Sequence, residues 1–407
     1  MRKFSRNARL YLLNVVIIGA AMGVFRLLFN FYVLSLGYNE ALVGSLITVS
    51  SFTALLAALP MGYLADLVGR KNSLLLSGAL LSASVLAIVI WPSEGMLYAM
   101  NVVSGLAQSL AAVTMAPFMM ENSGEEERTY LFSFSSGLQM AMASVGSWIG
   151  GYLPSWIGLT RGVPAVSSQA YAGALLVVSI TFAIGLIPLA MLRTPRLQRS
   201  ERSVFAPLSY ASKQPSLLGK LILPILVTSI GAGLIMPFMN VFFRQVHHQP
   251  DPVVGSLFAW GSLAMGIGLL LAPPLANRMG KIQLVVATQA LSIPFLIILG
   301  FSPIFWLSTM AYFIRLALMN MSTPVYQTFV MEHVEPSARA TVASLVSMAW
   351  NFGWTLSPTI SGILQVRYGF GPPFLGTIIL YTISTLLYWA FFLRGRQERE
   401  PAPVPGD

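Results

Sequence analysis

Apolar stretches long enough to cross a lipid bilayer recur about twelve times along this 407-residue chain, and that recurrence limits its fold more than any other feature. A helix needs ~20 apolar residues to span the hydrocarbon. The stretches cover about residues 10–34, 41–61, 72–91, 96–120, 129–153, 170–192, 221–245, 253–274, 282–302, 305–331, 340–364 and 372–393. With 56% hydrophobic and only 9% charged residues, no soluble domain is compatible with the composition. In lipid every backbone polar group must be satisfied internally, so stretches of this length predict helices, giving an all-α integral membrane protein. The first stretch follows Arg2, Lys3, Arg6 and Arg9 but outruns a signal-peptide core, which predicts a retained anchor.

The net charge of +10 invites a nucleic-acid reading until its distribution is examined. Arg161, Arg244 and Arg367 fall on one side of the predicted membrane, Arg26 and Arg315 fall inside stretches, and the other nineteen of the 24 Lys and Arg fall on the opposite side. Basic residues mark cytoplasmic loops, so both termini are expected in the cytoplasm of a multi-pass plasma (inner) membrane protein. The bias accounts for the charge without nucleic acid. Cysteine is absent, which excludes disulfides and thiol chemistry. No metal-ligand set, cofactor motif, Ser/His/Asp arrangement or buried carboxylate pair is present, so no enzyme is expected.

An offset of 211 residues superposes the halves of the chain. Gly62-Tyr63-Leu64-Ala65-Asp66-Leu67-Val68-Gly69-Arg70-Lys71 is echoed by Pro273-Pro274-Leu275-Ala276-Asn277-Arg278-Met279-Gly280-Lys281. The same offset aligns Val43-Gly44-Ser45-Leu46 with Val254-Gly255-Ser256-Leu257, Met120-Glu121 with Met331-Glu332, Arg128 with Arg339 and Ser133 with Ser344. A shared offset over this distance is a duplication, and parallel repeats are one known build of secondary transporters. The expected organisation is a six-helix bundle over 1–192, a linker over 193–216, a second bundle over 217–396 and a disordered polar tail over 397–407. The repeat also makes a functional monomer the expected state.

Polar residues are unevenly spread. Asn, Gln or Arg occurs well inside stretches 1, 4, 5, 7, 9, 10 and 11, whereas stretches 3, 6 and 12 have none away from their ends. Helical spacing puts Gly19, Gly23, Arg26 and Asn30 on one face of the first helix, and Ser229, Gly233, Pro237, Asn240 and Arg244 on one face of the seventh. Such stripes face protein or a wet cavity, and their matching places in the two halves predict a central polar cavity. The candidate cavity residues are Arg26, Asn30, Gln108, Gln139, Asn240, Tyr312, Arg315 and Asn351. An arginine in a span costs roughly 2.5–3.5 kcal/mol on insertion scales. With no Asp or Glu at their depth, Arg26 and Arg315 either hold an anionic or strongly polar substrate group or are tied to backbone carbonyls and amides.

From Gly62 to Lys71 the chain resembles the loop motif between the second and third helices of the Major Facilitator Superfamily of secondary transporters, with pattern G-x-L-a-D-r-x-G-r-k. Gly62, Leu64, Asp66, Gly69, Arg70 and Lys71 match, and Leu67 stands where a basic residue is usual. The resemblance covers essentially the whole chain. It implies twelve transmembrane helices in two six-helix pseudo-repeats around a central cavity, and alternating access with this loop latching the cytoplasmic side. Independently, a carboxylate in the last turn of a helix is disfavoured by ~0.3–1 kcal/mol, so Asp66 requires a partner, either Arg70 or the N-terminus of a helix such as that near Ala340. Gly69 is expected to end the helix with a left-handed residue. Glu121, Arg128, Glu332 and Arg339 repeat on the same side, which suggests pairing with the basic ends of the two loops in a network that includes Arg278 and Lys281; solvated loop charge is the alternative. Asn277 in place of aspartate makes the latch asymmetric.

A second resemblance is to the antiporter motif G-P-x-x-G-G, met here as Gly146-Ser147-Trp148-Ile149-Gly150-Gly151, with serine for proline. The leading expectation is a transporter of a small anionic or polar organic solute. Efflux of amphipathic compounds is the alternative within transport, and a non-transporting receptor or scaffold the alternative outside it. A coupling ion is left open; a proton would have to use Asp66, Glu121 or Glu332.

Overall fold

The computed structural model describes residues 5–193, 215–334 and 339–394, and these form twelve long helices. They are α1 (Arg6–Ser35), α2 (Glu40–Val68), α3 (Arg70–Ile90), α4 (Glu94–Glu121), α5 (Glu125–Arg161) and α6 (Ser168–Ala190) in the first half. The second half has α7 (Pro215–Gln245), α8 (Asp251–Met279), α9 (Lys281–Phe301), α10 (Phe305–Glu332), α11 (Arg339–Tyr368) and α12 (Gly371–Leu393). Among the described residues nine of them are long and apolar enough to cross a membrane on length and composition alone. The remaining three, α5, α10 and α11, are among those that carry internal polar residues. Most of the expected linker and all of the expected tail lie outside the described residues.

Side chains start several helices by satisfying an orphan backbone donor. Ser5 accepts from the Ala8 N–H, Asn39 from Leu42, Ser93 from Met96 and Ser167 from Ala170. Prolines interrupt many spans, which neighbouring helices make tolerable in a membrane. In α7 the interruption is visible as a single 3₁₀ turn at Met236–Phe238, centred on Pro237. This break divides α7 into Pro215–Ile235 and Met239–Gln245.

Two compact units result. Unit 1 contains the described residues of Met1–Arg202 together with Pro237–Ser262 and Pro358–Val366. In it α1 packs on α5 and α6, α2 on α4, and α3 on α4 and α6. Tyr11, Leu12, Leu74, Phe118 and Leu189 form an apolar core there. Unit 2 contains the rest of the second half: α9 packs on α10 and α12, and α12 on α7. Its core gathers Leu221, Ala272, Val285, Tyr326, Phe329 and Tyr388.

The duplication is written into backbone geometry. Gly69 alone joins α2 to α3, and Gly280 alone joins α8 to α9, at φ 92°, ψ 152° and φ 92°, ψ 150°. The positive φ suits glycine, but the extended ψ is not the left-handed helical value expected at Gly69. The reason is that the next helix starts at once: a left-handed helical cap turns the chain off the axis, whereas this conformation reverses it in one residue.

Candidate functional site

Two groups of residues are well defined, one at each end of unit 1. The end bearing the Gly69 joint is called the motif face here, and the other the opposite face.

At the motif face, Asp66 occupies the last turn of α2 and Arg70 the first turn of α3. Arg70 Nη1 lies 2.6 Å from Asp66 Oδ1, and Arg70 Nε donates to Glu121 Oε1 at 3.3 Å. Arg70 is therefore the partner that Asp66 requires, and it binds the end of α4 as well. Lys71 Nζ donates to the Leu192 carbonyl at 2.8 Å, fastening α3 to the end of α6. Unit 2 holds the echo: Lys281 Nζ pairs with Glu332 Oε1, at positions 211 residues beyond Arg70 and Glu121. Asn277 is exposed and Arg278, also exposed, has no ion pair among the described residues. Gly62 lies within α2 with open space where a side chain would sit. Arg128 and Arg339 start helices, but their side chains lie outside those described.

Of the candidate membrane residues, Arg26, Gln108, Gln139 and Asn351 are exposed, while Asn30, Asn240, Tyr312 and Arg315 are buried. The first-helix stripe divides by what covers it. A Cβ at Gly23 would stand 2.0 Å from the Ala143 carbonyl oxygen, and one at Gly146 2.0 Å from that of Ala20, so α1 and α5 touch backbone to backbone. Two residues of the sequence motif on α5, Gly146 and Gly150, serve this contact. Asn30 meets the break in α7, donating to the Pro237 carbonyl at 2.7 Å and to Asn240 Oδ1 at 2.9 Å. Asn240 Nδ2 donates back to the Leu27 carbonyl at 2.7 Å. The break at Pro237 interrupts the helical ladder, and the Asn30 amide satisfies the Pro237 carbonyl there while the Asn240 amide caps the Leu27 carbonyl of α1. Arg26 remains on the surface of α1, with no ion pair or hydrogen bond among the described residues.

Arg315 is 1% exposed, within unit 2. Its Nη2 donates to Tyr381 Oη at 2.8 Å, its Nη1 lies 3.5 Å from Met236 Sδ, and its guanidinium centre is 5.4 Å from the Tyr381 ring centroid. A phenol, a thioether and an aromatic face replace the carboxylate that the span lacks. Neither Tyr381 nor Met236 was legible as a partner of Arg315, because neither carries charge and both lie on other helices.

The opposite face carries a cluster that sequence reasoning missed. Tyr171 Oη, from α6, donates to Asp251 Oδ2 at 2.5 Å and accepts from Arg244 Nη1 at 2.7 Å. Arg244 Nη1 lies 3.5 Å from Asp251 Oδ1, and its guanidinium stacks over Phe31 at 4.5 Å. The seven-residue interval from Arg244 to Asp251, across the turn between α7 and α8, was the available signal; Tyr171 had none. Around this cluster two helix crossings repeat the internal symmetry. A Cβ at Gly44 on α2 would meet the Pro358 carbonyl oxygen of α11 at 2.1 Å, and one at Gly255 on α8 would meet that of Ser147 on α5 at 2.6 Å. One turn away, Gly362 approaches the Glu40 carbonyl and Gly151 the Asp251 carbonyl. Within unit 1, then, the ends of α7, α8 and α11 are sealed onto the first-half helices.

The Major Facilitator Superfamily profile matches this chain twice, over residues 11–248 and 221–406. A curated relative, the multidrug resistance protein MdtG of Dickeya zeae (strain Ech586), is 25% identical over 416 residues, covering 98% of this chain and 97% of that protein. In fold the chain is similar to a bacterial homolog of the human lysosomal transporter Spinster in an inward-facing, unoccupied conformation, with TM-score 0.79, 14% identity and coverage of 98% and 99%. It is also similar to the nucleoside transporter NupG, with TM-score 0.75, 13% identity and coverage of 98% and 100%. The duplicated helical pattern, the two single-glycine joints with their ion pairs and this family match over both halves lead to one conclusion: the chain belongs to the Major Facilitator Superfamily and is a membrane secondary transporter, not an enzyme.

Proposed function

We propose that this transporter lies in the inner membrane with its motif face and both termini in the cytoplasm, and that it carries small organic solutes bearing an anionic or strongly polar group. The observation that carries the substrate class is Arg26, an exposed guanidinium inside a spanning helix, toward its outer side, with no carboxylate partner among the described residues. An uncompensated cation at such a position is favourable chiefly when a cargo of opposite charge visits it. Arg315 has a different role under this reading, since its Nη2 is engaged by Tyr381 and its Nη1 by Met236; it holds α7, α10 and α12 together. Gln108, Gln139 and Asn351 supply exposed amides for the polar remainder of the cargo. The orientation rests on the basic bias of the loops. The motif-face pairs of Asp66, Arg70, Glu121, Lys281 and Glu332 are the breakable latch of that side, and the internal repeat supports a monomer as the working unit.

Export of amphipathic compounds is a second reading, favoured by the multidrug resistance relative and by the glycine motif of α5. A thermal-unfolding screen of purified protein against aromatic carboxylates, nucleotides, sugars, amino acids and hydrophobic cations separates the two. The first reading expects stabilisation by organic anions that is lost in Arg26→Ala and kept in Arg315→Lys. Stabilisation by hydrophobic cations alone, unchanged in Arg26→Ala, would establish the second.

A further inference from the structure

Asp251 is the one buried acidic side chain among the described residues, at 7% exposure, and the cluster it forms with Tyr171 and Arg244 draws on both halves of the chain. Tyr171 belongs to the first half, Arg244 and Asp251 to the second. Oδ2 receives the Tyr171 hydroxyl, whereas Oδ1 has no hydrogen bond and only the Arg244 guanidinium at 3.5 Å. The same guanidinium is shared with the Tyr171 oxygen and the Phe31 ring. Burial and one unbonded oxygen penalise the charged form of this carboxylate, while the Tyr171 hydroxyl and the shared Arg244 cation favour it. Backbone contacts close around it: the Asp251 carbonyl touches Gly151 of α5, and one turn on Gly255 touches Ser147.

We propose that Asp251 is a proton-binding switch for the opposite face: ionised, it holds Arg244 and Tyr171 and keeps that face sealed; protonated, it releases them and lets the face open. The step is a simple acid–base one. A proton from water on that side bonds to a carboxylate oxygen, the charge of Asp251 is lost, the attraction to Arg244 disappears, and the Tyr171 hydroxyl loses its anionic acceptor. Arg244, already partly exposed and now without its counter-charge, moves into water as the helix ends part. The inference holds for either cargo class.

Other titratable groups face the cluster and are accounted for. His247, in the turn before α8, is held below the ordinary imidazole range by burial and by the neighbouring His248. Glu40 of α2 accepts from Gln245 Nε2 at 2.6 Å, and Arg161 of α5 lies beside Gly173, one half-turn past Tyr171.

The test uses the full-length chain, whose lack of cysteine allows clean labelling. Spin labels at Leu159→Cys and Val366→Cys, exposed near the ends of α5 and α11 within unit 1, report opening of this face by pulsed distance measurement in lipid nanodiscs. Between about pH 8 and about pH 5 the native side chains are expected to shift from a short to a long distance population. Asp251→Asn, the uncharged isostere, should show the long population throughout. Tyr171→Phe should keep the shift but move its midpoint up by about one pH unit, because the ionised form loses a donor. His247→Gln/His248→Gln should leave the midpoint in place. A shift that persists in Asp251→Asn, one that vanishes with the histidines, or an unchanged midpoint in Tyr171→Phe overturns the proposal. If Asp251→Asn does not fold, the Tyr171→Phe midpoint and the histidine variant decide it.

Discussion

Arg70 shows how one side chain can serve two partners: it reaches back one turn to Asp66 and across to Glu121, with both carboxylates about half exposed. Pairs of this exposure contribute ~0.2–1 kcal/mol each, small enough to suit the breakable latch proposed for this face. A double-mutant cycle of Arg70→Ala with Glu121→Gln is expected to show a coupling of at most ~1 kcal/mol in thermal unfolding, shrinking as salt is raised. Asp66→Asn is expected to leave expression intact and to slow transport, read as cargo flux in proteoliposomes; unchanged flux would remove Asp66 from the latch. Gly69 is a stricter position. Alanine there must adopt φ 92° with an extended ψ, at a cost of ~1–3 kcal/mol, so Gly69→Ala should unfold at lower temperature than a Gly62→Ala control, where a Cβ meets nothing. Deep in unit 2, Tyr381→Phe removes the oxygen that receives Arg315. The expected loss is ~1–3 kcal/mol, measured as a lower unfolding temperature.

Helices of this chain were easier to foresee than what covers them. Hydropathy marked twelve spans because lipid leaves the backbone no other choice, and the offset of 211 residues put both single-glycine joints in view. Periodicity also put Gly19, Gly23, Arg26 and Asn30 on one face of α1, yet three of these four are covered by other helices: the glycines lie under α5, and Asn30 under the broken turn of α7. A polar or small residue on a membrane helix signals that lipid is excluded, but water, a backbone carbonyl and a neighbouring helix exclude it equally well. The cluster of Tyr171, Arg244 and Asp251 was hidden for a related reason. A tyrosine in an apolar span looks like packing, and an acid at the first position of α8 looks like a helix-start charge. Its partner geometry needs α6, α7 and α8 together. The amide pair is testable as an element-level joint: Asn30→Leu should leave the Pro237 carbonyl without its side-chain donor and the Asn240 oxygen with only the Val241 N–H. Destabilisation of ~1–3 kcal/mol is expected, with faster deuterium exchange confined to residues around Met236–Phe238.

Across the whole molecule the two sequence halves use the same positions with different chemistry. Arg70 and Glu121 become Lys281 and Glu332, while Asp66 becomes the exposed Asn277. The helix crossings of the opposite face follow a stricter rule. Gly44 meets Pro358, and Gly255 meets Ser147; shifting the first pair by 211 residues, in opposite senses, yields the second. Glu40 with Gly362 and Gly151 with Asp251 obey the same relation. That reciprocity is the signature of an isologous contact, in which one patch meets a copy of itself across a two-fold axis. A half-length ancestor would therefore have been self-complementary at this surface and able to pair as a homodimer before its gene was joined end to end. Fusion freed each copy of the patch to change alone: at one crossing the acid is a glutamate bonded to an amide, and at the other it is the aspartate that Tyr171 and Arg244 hold.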